Sequence, residues 1–373
     1  MQDGIFVIDG VTHCFDMSPE NEADPKLANP INQLNCGLLA AQPPGYDLDP
    51  AQLTKDWQVD DTAGIVFKES NTDVAIYHAT PIYFYKDGLS GFDKGVEAVK
   101  RYPNRFIGGY IAIDPIHPGA LDEMERQFEE LPSVMGLKLY PISYYAGKVD
   151  AWRMDNPEIA FPLYEKAREL GIKTVAVHKS LPLGPAPSGM APFGPGDVEG
   201  AASAFPDLTF ALVHGGMAFT EETAWLLARF SNIWVNMETL NIMLSNRPRV
   251  FAQTLAGLLS VGGEEILDRM YWASGAMNCH PNLSLQAFVD FEFPEDILEN
   301  NGVFLPIPQI TRAHKEKILH GNLARLHGLD VDALKANIAD DEFARIKANG
   351  LPDPYSTTQF AGAVRTPFGA GSR

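Results

Sequence analysis

With 373 residues, 40.9 kDa and 45% hydrophobic side chains, the chain can bury a large core as one big barrel or two ordinary domains, which excludes a disordered protein. Its 48 acidic against 29 basic residues leave a formal charge of −19, which repels a phosphate backbone; nucleic acid and anionic membrane are excluded as expected partners, and a small molecule is favoured. Three widely spaced cysteines, Cys14, Cys36 and Cys279, allow neither a disulfide framework nor a CxxC zinc knuckle, and MQDGIFVIDG is no secretory leader, so the expected location is a reducing cytoplasm.

Short runs rich in β-branched residues recur along the chain, each followed by helical spacing, as in a parallel sheet covered by helices. They lie at 5–8, 74–77, 106–111, 134–139, 174–177, 209–213, 233–236 and 270–272. Helices are predicted at 120–131, at 157–170 (opened by Asn156 and Pro157, closed by Gly171) and at 220–230. Eight strands imply closure into a (β/α)8 TIM barrel, an α/β fold; an open doubly wound sheet would carry a Gly-rich phosphate loop after its first strand, and DGVTHCFD is not one. Two insertions interrupt the spacing, at about 14–60 and at 181–197 (LPLGPAPSGMAPFGPGD), both on the barrel face where active-site lids sit. The barrel is expected to fill residues 1–330, ending in a helix over 311–326. Residues 331–373 form a C-terminal helix and an extended tail without a core pattern, suited to wrapping a neighbouring subunit of a homo- or hetero-oligomer.

Chemistry concentrates where histidines meet strand ends. His13, His78, His178, His214 and His280 follow five different strands, and residues at the C-terminal mouth of barrel strands point to a shared centre. Neutral imidazole is the commonest metal ligand, and Glu238, after the seventh strand, adds a carboxylate suited to a hard divalent ion. Lys138 on the fourth strand is expected in an ion pair, with a charged substrate contact or a carbamylated metal bridge as alternatives; Tyr140, Tyr144 and Tyr145 are wall candidates. His117 precedes proline in a loop, and His314, His320 and His327, six and seven apart on the last barrel helix, are read as surface or capping residues. GxSxG, P-loop and HExxH motifs are absent from the sequence.

The order of these pieces resembles the amidohydrolase-related family typified by aminocarboxymuconate semialdehyde decarboxylase and the resorcylate-type decarboxylases, over nearly the whole chain. IDGVTH resembles its strand-one IDxHxH, GLKLYP its strand-four GxKLHP, TVAVH its strand-five histidine and FALVHGG its strand-six HxG; MYWASGAM resembles ILFGSDYP, and HKEKILHGNLARLHGL the closing EKILGGNAARLLGL helix. The resemblance implies a metal-dependent enzyme. Two positions depart from it. Val11 stands where the family has its first metal-binding histidine, on the strand face that alternation assigns to 9, 11 and 13, and Gly275 stands where it keeps a strand-eight aspartate that binds metal and moves protons.

Losses at strands one and eight, with surplus donors at His78, Glu238 and His280, resemble a rebuilt centre. They suggest a second group on the same fold, the non-haem dinuclear-metal monooxygenases related to the α-aminoisobutyrate and platensimycin-pathway hydroxylases. The leading expectation is therefore O2-dependent hydroxylation of a small organic molecule. His13, His178 and His214 hold one ion, and Glu238 with His78 or His280 helps hold a second; iron is the first expected metal and manganese the next. The alternative is a hydrolase or non-oxidative decarboxylase with one zinc or manganese ion, in which Asp9 or Glu238 replaces the missing aspartate. A third reading is a degenerate partner subunit of a hetero-oligomer.

Overall fold

The computed structural model describes every residue except 185, 188, 300 and 366–373. Eight parallel strands run in sequence order around one sheet: β1 Ile8–Thr12, β2 Val74–His78, β3 Phe106–Ala112, β4 Val134–Leu139, β5 Thr174–His178, β6 Thr209–Val213, β7 Ile233–Asn236 and β8 Met270–Tyr271. Closure comes from β8 and the residues after it pairing with β1. Gly10 N–H donates to Trp272 O at 3.0 Å, Gly275 N–H to Val11 O at 3.0 Å and His13 N–H to Ala276 O at 2.6 Å. The chain is thus the expected (β/α)8 barrel, with seven strands on their β-branched runs and the first at Ile8–Thr12 rather than at 5–8.

Two hydrophobic layers follow from strand alternation. Val7, Ala75, Leu137, Val175, Leu212 and Val235 face the helices in the larger cluster, while Ile8, Ile76, Tyr110, Ala176, Ala211 and Tyr271 fill the barrel interior. Register shifts at three pairings, β1 with β2, β2 with β3 and β3 with β4; in β1 the shift lies between Asp9 and Thr12, so the common face expected for 9, 11 and 13 is broken by the extra residue.

The 14–60 insertion is more ordered than its proline content suggests. Asp24 accepts from Lys26 N–H and Pro25 takes the first helical position, starting a 16-residue helix, α1 (Pro25–Ala40), that lies across the barrel mouth. The helix predicted from Pro157 begins only at Phe161, because Asn156 Oδ1 caps a preceding turn through Glu158 and Ile159 N–H. The 311–326 helix forms as one run with a π-turn at Lys317–Gly321, opened by a Thr311/His314 capping box.

The tail departs from expectation. Instead of reaching outward, it packs on its own chain: Tyr355 and Phe360 are fully buried, Phe360 stacks on Trp57 with ring centroids 4.3 Å apart, and Val364 bridges Leu48. Residues 366–373 of that predicted tail lie outside the described residues. The 181–197 segment is likewise fastened, since Lys179 Nζ, buried at the end of β5, pairs with Asp197 at 2.8 Å and donates to Pro192 O at 2.7 Å. Among the described residues, no helix is long and apolar enough to cross a membrane.

Candidate metal centre

A small cavity of about 40 Å³ opens at the C-terminal mouth, with a polar floor and an apolar wall. His13, Lys138, His178, His214, Glu238 and Thr239 form the floor; Leu34 and Leu38 of α1, with Leu181 and Leu183 of the second insertion, form much of the wall. Larger hollows of 340 and 610 Å³ lie elsewhere on the surface and contain none of the strand-end histidines.

Hydrogen bonds fix the ring orientations. His13 Nδ1 lies 2.8 Å from His78 O and His178 Nε2 lies 2.9 Å from Leu181 O; carbonyls only accept, so both nitrogens carry protons. This turns His13 Nε2 and His178 Nδ1 toward the cavity. His214 Nε2 donates to His178 Nδ1 at 3.0 Å, and Thr239 Oγ1 donates to His214 Nδ1 at 3.1 Å. His13 Nε2 and Glu238 Oε1 stand 3.3 Å apart. Burial, with Lys138 and neighbouring imidazoles adding to it, holds His178 well below the usual imidazole range, and burial takes His214 down to about 4, so both rings are neutral at pH 7. Burial opposes ionisation of Glu238, but the hydrogen-bonding contact with His13 and the nearby Lys138 ammonium favour the charged carboxylate. Burial lowers the Lys138 ammonium to about 8, against the pull of Glu238.

The backbone is bent to make this floor. His214, Gly215 and Gly216 have φ of 74°, 54° and 73°, and Thr239 has φ of 65°; a branched or bulky residue in the left-handed region stores strain of about 1 kcal/mol or more. Asn236 holds the two bends together. Its amide oxygen accepts from both His214 N–H and Glu238 N–H, each at 3.2 Å, from a fully buried position on β7. Asn236 and Thr239 were not among the residues singled out by sequence; the polar side chain closing IWVN was the available signal.

Other expected site residues are placed elsewhere. His280 caps the helix Pro281–Asp290, accepting from Asn282 N–H, and its Nε2 donates to Glu69 at 3.0 Å between the rings of Tyr46 and Tyr355. His78 is wholly buried and stacks on Tyr110 at 4.0 Å, with both ring nitrogens lacking a partner; its ring centroid lies 6.4 Å from that of His13. Neither lines the cavity, so a second ion on Glu238 with His78 or His280 is not assembled. Asp9 also lies off the cavity: Oδ1 accepts from Ser274 N–H and Val11 N–H, and burial pushes the carboxyl up to about 6. Lys138 makes no ion pair among the described residues, contrary to the simplest expectation. Tyr140 Oη donates to Leu183 O at 2.6 Å, beneath the wall, and Tyr144 and Tyr145 belong to an antiparallel hairpin with Lys148–Ala151.

Residues 91–329, well over half of the chain, match the Amidohydrolase family. The chain belongs to the amidohydrolase family. Among solved structures it is similar to an uncharacterized TIM-barrel protein from Bordetella bronchiseptica, at 19% identity and TM-score 0.59, over 86% of this chain and 98% of that one. It is also similar to a 2,6-dihydroxybenzoate decarboxylase complexed with 2,6-dihydroxybenzoate, at 17% identity and TM-score 0.55, over 88% and 100% of the two chains. A third likeness is to a dihydroxybenzoic acid decarboxylase from a Polaromonas species with bound manganese and the inhibitor 2-nitroresorcinol, at 17% identity and TM-score 0.51, over 88% and 97%. No curated protein matches the chain.

Gly275, where the sequence resemblance places a strand-eight aspartate, is crowded by Glu238. A Cβ built on Gly275 would sit 2.8 Å from Glu238 Cγ and 3.3 Å from Glu238 Oε1. The strand-seven carboxylate therefore occupies the space a strand-eight side chain would fill. The donors suit one divalent ion: two imidazole lone pairs aimed by carbonyl-anchored N–H groups, and a carboxylate whose Oε2 is buried without a partner. As they stand, the donors form two pairs, His13 with Glu238 and His178 with His214. Among the described residues, no three His, Cys, Asp or Glu side chains converge tightly enough to coordinate in this arrangement.

Proposed function

We propose that this amidohydrolase is an oxygen-independent, metal-assisted decarboxylase of a small organic acid, with hydrolysis as the second reading of the same site. The observation that carries it is Glu238 in the space beside Gly275, where it can serve as the acid/base carboxylate that the sequence lacks after strand eight. Hydroxylation gains no support: the extra ligands for a second ion stand apart, and the named decarboxylases share this fold, one of them with manganese bound. Hydrolysis is kept as the alternative because a 2-pyrone-4,6-dicarboxylic acid hydrolase from Pseudomonas putida also shares the fold, at TM-score 0.50 and 16% identity.

His13, His178 and Glu238 are the residues that would hold the ion, zinc or manganese, which would supply Lewis acidity to polarise a bound oxygen. The chain's own groups do the rest. His214, kept neutral and fastened by Thr239, gives up its donation to His178 and offers Nε2–H to the substrate. Glu238 accepts a proton from solvent or a substrate hydroxyl. Its neighbours disfavour the neutral form, so the proton passes readily to carbon. The bond from that carbon to the carboxylate breaks, its electron pair takes the proton, and CO2 leaves. Leu34, Leu38, Leu181 and Leu183 exclude competing water.

The test is anaerobic turnover of a panel of small aromatic and aliphatic carboxylic acids, followed by CO2 release. Oxygen-independent CO2 release that falls at least about 100-fold in Glu238→Gln is expected. Turnover that consumes one O2 per product would overturn the proposal.

A further inference from the structure

Four cationic side chains are buried among the described residues: Arg105, Lys138, Lys179 and Lys315. Three of them have acceptors. Arg105 pairs with Asp341, Lys179 with Asp197, and Lys315 donates to Val289 O. Lys138, 2% exposed, makes no hydrogen bond or ion pair among the described residues. The contrast with Lys179 is sharp, since both sit at the ends of neighbouring strands and only the one outside the cavity is neutralised. An unpaired buried ammonium costs several kcal/mol and persists where a ligand completes it.

The surroundings leave room for that ligand. In register, Lys138 stands beside Ala112 on β3 and Ala176 on β5, two small neighbours, and its head lines the mouth cavity. Glu238, the nearest opposing charge, lies beyond ion-pair distance and is engaged with His13. No other lysine or arginine lines the cavity, and Glu238 would repel a second anionic group. Leu34, Leu38, Ile82, Leu181 and Leu183 line the same cavity.

We propose that the substrate is a monocarboxylate with a compact apolar body, its carboxylate paired with Lys138 and its body against the leucine wall. The inference rests on the reading of this cavity as the catalytic pocket, and it makes Lys138 the residue that selects a single negative charge. Because the cavity holds only about 40 Å³ as it stands, binding such a ligand requires the wall contributed by α1 to give way.

The experiment compares acetate, isobutyrate and benzoate with acetamide, isobutyramide and benzamide, and benzoate with isophthalate, on the purified full chain by calorimetry and thermal shift. At least one monocarboxylate should bind tenfold or more tighter than its amide, and benzoate tenfold or more tighter than isophthalate. Lys138→Met should reduce both ratios to within threefold while keeping the circular dichroism of the parent. The parent alone supplies a second readout: with the free ammonium near 8, carboxylate affinity should fall about tenfold per pH unit above pH 8. Equal binding of acid and amide, a preference that survives Lys138→Met, no carboxylate binding, or affinity flat from pH 7 to 9.5 would each overturn the inference. Lys138-dependent carboxylate binding without CO2 release from any acid would sink the decarboxylase reading and leave the inference standing. CO2 release with the preference intact in Lys138→Met would do the reverse.

Discussion

Two buried histidine–carboxylate pairs flank the barrel mouth, and they differ in what remains unsatisfied. Glu69, fully buried, accepts from His280 Nε2, Tyr355 N–H, Thr357 N–H and Thr357 Oγ1, so both oxygens are used. Glu238 meets His13 at 3.3 Å through one oxygen, while the other has no partner and the residue lines a cavity. The first pair is a clip joining the C-terminal tail, the π-turn after Val59–Ala63 and the strand-eight loop. The second has capacity left for a ligand. A histidine beside a carboxylate at a strand end is therefore no signature of chemistry by itself; the spare lone pair is.

Removing the clip should have the largest effect on the fold. Glu69→Ala strands three N–H or O–H donors and a histidine in the interior, and a loss of about 4 kcal/mol in urea unfolding is expected, with monocarboxylate affinity per folded molecule unchanged. A loss of affinity without loss of stability would break the distinction between the two pairs.

Asp9 falls between them, with Oδ1 satisfied and Oδ2 bare. Its folded-state value near 6 lies above the ordinary 3.8, so the native state holds the proton more tightly than the unfolded chain does. The stability this confers is complete below about pH 3.8 and is lost as pH rises through 6. Asp9→Asn should then stabilise by about 2 kcal/mol at pH 7 and by almost nothing near pH 4, read from chemical unfolding at both pH values. Equal stabilisation at both would mean that the carboxyl is not strained by burial.

The smallest effect is expected at His78. His78→Phe keeps the stack on Tyr110 and removes two unpartnered nitrogens, so stability should change by less than about 1 kcal/mol and the bound-metal content not at all. Loss of an ion in that variant would restore the two-metal centre.

Barrel and strand ends were legible because β-branched runs and helix caps are local signals, and Ile8, Ile76 and Ala211 obey the period that predicts them. His13, His178, His214, Glu238 and Lys138 all reach the same cavity, as strand-end placement implies for side chains on a closed sheet. His280 misled because a loop after a short strand fixes no direction, and its helix-capping role depends on Asn282 and on Glu69 far away in sequence. The tail was illegible for a similar reason: two aromatic anchors, Tyr355 and Phe360, carry its packing without any period. The shift in β1 is invisible to alternation, which presumes an unbroken pleat.

The central claim, that Glu238 has taken the place of a strand-eight acid, is tested most directly by moving the carboxylate back. Gly275→Asp alone should abolish manganese binding and CO2 release, because its Cβ meets Glu238 Cγ at 2.8 Å, and Glu238→Ala alone should do the same. Gly275 has φ of 65°, and aspartate is among the side chains that tolerate this left-handed region best, so Glu238→Ala with Gly275→Asn serves as the control for backbone strain. Combined, Gly275→Asp and Glu238→Ala should recover manganese binding to within about tenfold of the parent, a strongly non-additive double-mutant cycle. Additive loss, with the double variant no better than either single one, would contradict the account.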